Sequence, residues 1–338
     1  MRINPAHRRL ATLCVAAVIL VAFVIAGVTA RVPYVALSPG PTVNTLGTLD
    51  GKPDGEPVVE VTGAVDPHPS GHLNLTTVSL HDGLTLFDAI GMWFSSDHEL
   101  QPRQLYFPDG KTTEEVNRET KQQMTSSEDN AIGAALSYLK RPIAVAAGIV
   151  SEPGPAAGIL ERGDVITAID GTAVTSPQQV QDLIRGHKGG EKVTLELLRD
   201  GEPKTVEVTL GSRPDNPEQG FLGVTPKLVS GDPAVQITFN TGAIGGPSAG
   251  LMLTLAIVDF LTPESLAGDR FIAGTGTIDI EGSVGPIGGI THKLKAADEE
   301  GAVAFLVPAD NCAEALSDAP DGLELIKVAT LTEAVDAL

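Results

Sequence analysis

Only two cysteines occur in the 338 residues, Cys14 and Cys312. The first falls inside an apolar run and the second lies far from it, so no disulfide framework exists and stability must come from packing. Basic residues are also scarce: 23 lysines and arginines stand against 43 acidic residues, for a formal net charge of −20. Phosphate binding needs a concentrated basic surface, so this balance argues against nucleic acid as a partner and indicates an acidic, solvated exterior. Histidines do not gather at metal-ligand spacing. His68 and His72 are four apart but in a loop containing Pro and Gly, and His81 and His98 are scattered; neither a metal site nor any other cofactor is expected.

One long hydrophobic run is present. Met1 to Arg9 carries Arg2, Arg8 and Arg9 and no acid, and Leu10 to Ala30 follows with 21 uncharged residues. At 1.5 Å per residue the run is about 31 Å long, enough to cross a bilayer. The three arginines before it outnumber Arg31 just behind it, which leaves residues 1–9 in the cytoplasm and exports everything after Arg31. Val28-Thr29-Ala30 is a passable cleavage site for a signal peptide. The apolar cores of such peptides usually run about 7 to 15 residues, so residues 10–30 are read as an uncleaved, single-pass anchor in the cell membrane.

The length predicts two or three folded units behind that anchor. Residues 31–142 open with loop-rich sequence around Ser38-Pro39-Gly40-Pro41, Asp50 to Gly55 and Pro67 to Gly71, interleaved with short apolar strands such as Pro57 to Val61. A helix is predicted over Leu84 to Phe94, where Leu86, Ile90 and Trp93 repeat at helical spacing, and another from Thr113 through Ala131 to Leu139. No chemistry announces itself there, and the region reads as a membrane-proximal structural element.

Residues 143–212 are clearer. An apolar run, Ile143 to Val150, is followed by Pro155-Ala156-Ala157-Gly158-Ile159-Leu160 and Gly163-Asp164-Val165-Ile166, with Asp170-Gly171 as a tight turn. Ser176 caps a helix with Pro177 at its first position and Val180, Leu183 and Ile184 as its buried stripe. Two alternating strands follow, Val193 to Leu198 and Thr205 to Leu210, joined across Asp200-Gly201. The Pro-Ala-Ala-Gly-x-Leu-x-x-Gly-Asp-x-Ile segment resembles the mostly β PDZ domain of exported bacterial proteases. That resemblance implies a peptide added as a strand at a sheet edge, its carboxylate held by a Gly-containing loop. No good carboxylate loop precedes Ala144, whereas Gly220-Phe221-Leu222-Gly223 comes after the domain.

From residue 220 to 338 helices and strands interleave as in a mixed α/β fold. Val235, Ile237 and Phe239 alternate as a strand, Ala249 to Phe260 is an apolar helix, Phe271 to Ile280 is strand-like, and a helix over Thr291 to Glu300 follows the Gly-rich stretch Gly282 to Gly289. A buried strand at Val303 to Val307 and a last strand and helix after Gly322 complete the pattern. Within it, Ile244-Gly245-Gly246-Pro247-Ser248-Ala249-Gly250 places a serine where a polar loop meets a helix, and Lys293 lies 45 residues beyond it. The small neighbours Gly246, Ala249 and Gly250 admit a close approach to the Ser248 hydroxyl. The first N–H groups of the helix, lacking internal partners, are candidates to hold an oxyanion, with the backbone of Gly246 and Ala249 as the expected donors. A hydroxyl alone is a weak nucleophile and needs a base.

Two candidates exist. Gly246 to Gly250 formally matches the G-x-S-x-G elbow of α/β-hydrolases, which would use His292, the only histidine after Ser248, with Asp269 or Asp279. Only 28 residues separate Ser248 from Gly220, however, too few for the strands that normally precede such an elbow. Lys293 is the better base: its helical neighbours Gly289, Ile290, Ala296 and Ala297 hold no carboxylate, whereas Lys295 faces Asp298 and Glu299. A lysine in an apolar, partner-free place has a lowered pKa and can accept the serine proton.

These motifs, with Thr275-Gly276 and Gly285-Pro286-Ile287-Gly288-Gly289, resemble the proteolytic domain of the Lon family, which has the ribosomal-S5-domain-2-like fold. The resemblance implies a Ser-Lys dyad of Ser248 and Lys293, with Thr275 as a supporting hydroxyl and ring-like self-association. The whole arrangement resembles the bacterial membrane-anchored proteases of the YlbL-like kind, which combine an anchor, a PDZ domain and a Lon-type domain. Two departures stand out. No G-x-x-x-x-G-K motif followed by Ser or Thr is present, and Gly245 replaces the acid that often precedes Gly-Pro-Ser in ATP-dependent Lon enzymes. The expected activity is therefore ATP-independent cleavage of unfolded or flexible extracytoplasmic polypeptides, with the PDZ domain positioning substrate. Two readings stand beside it. One is a small-molecule kinase of similar fold, which export from the ATP-filled compartment disfavours; the other is a PDZ and Lon-fold scaffold without turnover.

Overall fold

The computed structural model describes residues 5–67, 69–213 and 216–338. Helix α1 (Pro5–Thr29) holds the span Thr12–Thr29, long and apolar enough to cross a membrane and almost wholly outside the protein core. Helices α2 (Leu86–Trp93) and α3 (Thr113–Tyr138) each begin at a capping box: Thr85 with Asp88, and Thr112 with Glu115. In both, the threonine hydroxyl and the carboxylate satisfy backbone N–H groups that the helix leaves free. Farther along lie α4 (Pro177–Arg185), α5 (Gly250–Leu261), α6 (Ile290–Glu299), α7 (Cys312–Ser317) and α8 (Leu331–Asp336). Every residue of helix α5 is buried, in keeping with a sequence that is apolar apart from Thr254 and Asp259.

A six-stranded sheet runs in the order Glu324–Val328, Ala304–Pro308, Phe271–Gly274, His72–His81, Tyr34–Asn44, Glu99–Pro102. The first four strands are parallel, and the last two join antiparallel. Every residue of Ala304–Pro308 is buried, as its unbroken apolar sequence requires of a central parallel strand. The expectation of a separate element over residues 31–142 does not hold. Its strands Tyr34–Asn44 and His72–His81 lie in the same sheet as the C-terminal strands, and α3 packs against α5. His72–His81 pairs with Phe271–Gly274, about 200 residues away, so no local pattern places these strands in the C-terminal sheet. The strand Tyr34–Asn44 bulges between Pro39 and Thr42, where Gly40 is required: a Cβ there would run into Thr77 Oγ1 and stand 2.8 Å from the Thr77 carbonyl carbon.

A second sheet, antiparallel throughout, has the order Val224–Ser230, Ile143–Val150, Val165–Ile169, Lys192–Arg199, Glu202–Thr209, with Thr172–Ala173 paired to Val165–Ile169. Asp170-Gly171 and Asp200-Gly201 take positive φ at both positions, the geometry of tight hairpin turns. Ser176 caps α4, accepting the Gln179 N–H at 3.1 Å, and Val180 and Ile184 are buried. The sheet does not end at residue 212: its edge strand is Val224–Ser230, which follows the Gly220 to Gly223 stretch. Asp129 of α3 accepts the Leu228 N–H of that strand at 3.3 Å, tying the two sheets together.

Candidate active site

Ser248 lies in the turn before α5, between Gly246, whose φ of 85° demands glycine, and Gly250. Gly250 is dictated by packing: a Cβ there would be 2.8 Å from Ser127 Oγ of α3. Lys293 sits in the first turn of α6, only 2% exposed. Its Nζ is 2.9 Å from Ser248 Oγ and 2.8 Å from Thr275 Oγ1. Burial alone pulls the ammonium down to about 7. Thr275 Oγ1 donates to the Ser248 carbonyl at 3.1 Å. Its hydroxyl proton is thus committed, and it accepts an Nζ–H from the lysine. That bond orients the neutral amine, leaving its lone pair for the serine proton.

The oxyanion expectation needs a correction. Gly246 donates its N–H to the Thr120 carbonyl at 3.0 Å, and the Leu251 N–H goes to the Gly276 carbonyl at 3.0 Å. Neither is available to a substrate. Among the described residues the Ser248 and Ala249 N–H groups have no partner, which leaves them as the donors at this turn. His292 does not join the site: it faces Glu99, with Nε2 3.4 Å from Oε2. Asp279 accepts the Ser283 N–H at 2.8 Å and Asp269 is exposed, so neither orients His292 among the described residues. The hydrolase-type triad therefore lacks its geometry.

Three histidines of residues 31–142 lie in ring contacts away from Ser248 and Lys293. His72 stacks on Phe271 with ring centroids 5.0 Å apart, His81 and His98 lie 5.8 Å apart, and His68 falls outside the described residues.

Several supports were not visible in the sequence. Ser127 donates to the Pro247 carbonyl at 3.0 Å, and Asn130 donates to the Ile278 carbonyl at 2.9 Å, both from α3. Thr241 donates to Glu128 at 2.9 Å. Burial raises Glu128 and pushes Asp129 up to about 7. On the lysine side, Asn311 makes two 2.9 Å bonds to the main chain of Ile287, its Oδ1 accepting the N–H and its Nδ2 donating to the carbonyl. That pair fixes the Gly-rich loop feeding α6. A cavity of about 1010 Å³ opens over Ser248 and Lys293. Val43, Leu75 and Val78 line one side, and Ala243, Ile244 and Ile287 the other. Nine of the 21 lining residues thus belong to the region in which the sequence showed no chemistry. A signal for it exists only in retrospect, in the Pro39-Gly40-Pro41 interruption of an otherwise apolar strand.

Known proteins share this organisation in parts. A PDZ domain family model matches residues 130–210, and a model of the Lon protease (S16) C-terminal proteolytic domain matches residues 224–338. Lon protease 2 of Bacillus subtilis (strain 168) is 37% identical over 118 residues, 35% of this chain and 20% of that protein. The Lon protease of Rhizobium meliloti (strain 1021) is 28% identical over 269 residues, 71% of this chain and 32% of that protein. A probable periplasmic serine endoprotease DegP-like of Pseudomonas fluorescens is 36% identical over 90 residues, 26% of this chain and 18% of that protein. The crystal structure of the PDZ domain of the SdrC-like protein from Listeria monocytogenes is 28% identical, covering 25% of this chain and 86% of that one, with a TM-score of 0.23. The chain spans less than a third of the length of each of these three curated relatives. It combines an N-terminal apolar helix, a PDZ domain and a Lon-type proteolytic domain of the serine-peptidase class in a mixed α/β architecture.

Proposed function

We propose that this protein is a membrane-anchored serine endopeptidase that cleaves unfolded or flexible extracytoplasmic polypeptides with a Ser248–Lys293 dyad. The 2.9 Å contact between a buried amine and the serine hydroxyl carries this reading. In the neutral state Lys293 Nζ takes the proton from Ser248 Oγ as that oxygen attacks the scissile carbonyl. The Ser248 and Ala249 N–H groups receive the developing oxyanion. The ammonium then protonates the leaving amine, and water hydrolyses the acyl-enzyme with Lys293 again as base. Thr275 orients the amine throughout. Bond cleavage draws nucleophile and base from the chain itself and consumes no nucleotide.

A PDZ domain binds peptides, and the edge strand Val224–Ser230 with the preceding Gly220 to Gly223 loop supports a role in positioning substrate. Retention of α1 as an anchor is supported by the way the domain holds it. Leu86 donates to the Ala30 carbonyl and Val32 to the Leu84 carbonyl, each at 3.0 Å, across the peptide bond a signal peptidase would cut. Incubation of an unstructured polypeptide with the purified protein and with Ser248→Ala tests the peptidase reading. Cleavage by the first and none by the second is expected; equal cleavage by both rejects the dyad, and cleavage by neither favours the scaffold reading.

A further inference from the structure

Helix α2 carries an exposed apolar stripe at the outer end of α1. Ile90, Trp93 and Phe94 repeat at helical spacing and are 39%, 74% and 85% exposed, and the Trp93 and Phe94 rings stack 6.1 Å apart. The capping box at Thr85 and Asp88 fixes the start of the helix, and its N-terminal half is strapped to α1. Phe87 meets Phe23 edge-on at 5.6 Å, and a Cβ on Gly27 would touch its ring. Arg31 donates to the Gly83 carbonyl and bridges Thr85 through the backbone.

These contacts set the depth of α2. Phe23 lies six residues before Thr29, where the apolar span ends, so Phe87 packs about 9 Å inside that end at the helical rise. A second segment reaches the same level: Arg103 donates its N–H to the Pro33 carbonyl at 3.0 Å, which places Leu105, 67% exposed, beside the emerging chain. Tyr34, 44% exposed, adds a phenol at that level. Aromatic side chains with an apolar body and a polar edge concentrate where membrane meets water.

From this geometry we infer that α2 lies in the outer membrane–water interface, with Ile90, Trp93, Phe94 and Leu105 seated in the lipid of the bilayer that α1 crosses. The inference rests on the anchor reading of α1. Its occupant is lipid rather than a soluble partner because the stripe is continuous with the span itself. With a net charge of −20 the protein offers little attraction to anionic headgroups, so apolar contact must hold it down. Seating α2 also fixes the height of the catalytic helix. Asp97 pairs with Lys295 of α6, and Glu99 faces His292.

Trp93 is the only tryptophan of the chain, so its emission reports this face alone. The test uses the full-length protein in vesicles of phosphatidylcholine and phosphatidylglycerol, with and without bromine on the upper acyl carbons. Carbonate extraction of the same vesicles checks the anchor. Retention with at least about twofold quenching by brominated lipid, together with shielding from aqueous iodide, is expected for an interfacial ring. An Ile90→Asn, Phe94→Asn protein should regain iodide access and lose most of the lipid quenching. Retention with Trp93 open to iodide and blind to brominated lipid overturns the inference and leaves the anchor standing. Retention with Trp93 shielded from both overturns it in favour of a protein partner. Release by carbonate overturns the anchor and the inference together.

Discussion

The two sides of the catalytic cleft come from opposite ends of the chain and carry different kinds of information. Residues 248–293 hold the proposed reacting atoms, where one displaced group would stop the reaction. Residues 41–79 and helix α3 hold walls and supports, where several weak contacts share the load. Chemistry constrains residue type tightly on the first side and loosely on the second, so short motifs mark only one of them.

The contrast is tested most strongly at the dyad. Ser248→Ala and Lys293→Ala should each lower kcat by about 10⁴-fold or more, because the nucleophile and its base act as a unit. His292→Ala should leave turnover near that of the parent. In the parent, kcat/KM should rise with pH through a midpoint near 7, since only the neutral Lys293 accepts a proton. A midpoint above 9 would place the amine in water.

A second expectation concerns stability. Lys293 drops from 10.5 to about 7 on folding, so between those values the folded state binds fewer protons and stability rises with pH. Below the lower value the penalty for the buried charge is fully present. Lys293→Met should therefore stabilise the protein by on the order of 3 kcal/mol at pH 6, with the gain fading as pH rises past 10. Urea unfolding at the two pH values measures it; no gain at pH 6 would contradict the buried ammonium.

The supports should show smaller effects of a different character. Ser127→Ala and Asn311→Ala each remove hydrogen bonds that position a loop, and about tenfold losses in kcat are expected, from roughly 1 to 1.5 kcal/mol per bond. Combining Ser127→Ala with Lys293→Ala should add nothing to the larger loss; an additive result would give α3 a role independent of the dyad. Least affected is the far domain, where Ser176→Ala removes the α4 cap. A loss of about 1 kcal/mol in stability with unchanged hydrolysis of short peptides is expected.

Much of the candidate site was legible because the motifs that carry it are local. Ser248, Lys293 and Thr275 stand in short motifs, and the partner-free helical neighbours of Lys293 already indicated a lowered pKa. Within the PDZ domain the paired turns, the Ser176 cap and the buried stripe of α4 follow from spacings of a few residues. The illegible part is long-range. Nothing near His72–His81 reveals a strand that pairs with Phe271–Gly274, or that Tyr34–Asn44 joins the same sheet through it. The role of α3 depends on Ser127, Glu128 and Asn130 meeting loops more than a hundred residues away. Gly246 shows a further limit: its position beside the nucleophile suggested an oxyanion donor, and only the fold reveals that Thr120 has already taken its N–H.

The pairing of His72–His81 with Phe271–Gly274 bears on when the proposed active site is completed during synthesis. As the chain emerges from its N-terminus, the PDZ hairpins find partners close at hand, whereas the sheet beneath the cleft stays incomplete until nearly the whole polypeptide has appeared. Lys293 emerges before the last two strands of that sheet, Ala304–Pro308 and Glu324–Val328. On the proposed peptidase reading, a nascent molecule is therefore inactive for most of its synthesis, and the ability to cut is acquired only once the last quarter of the chain has come out.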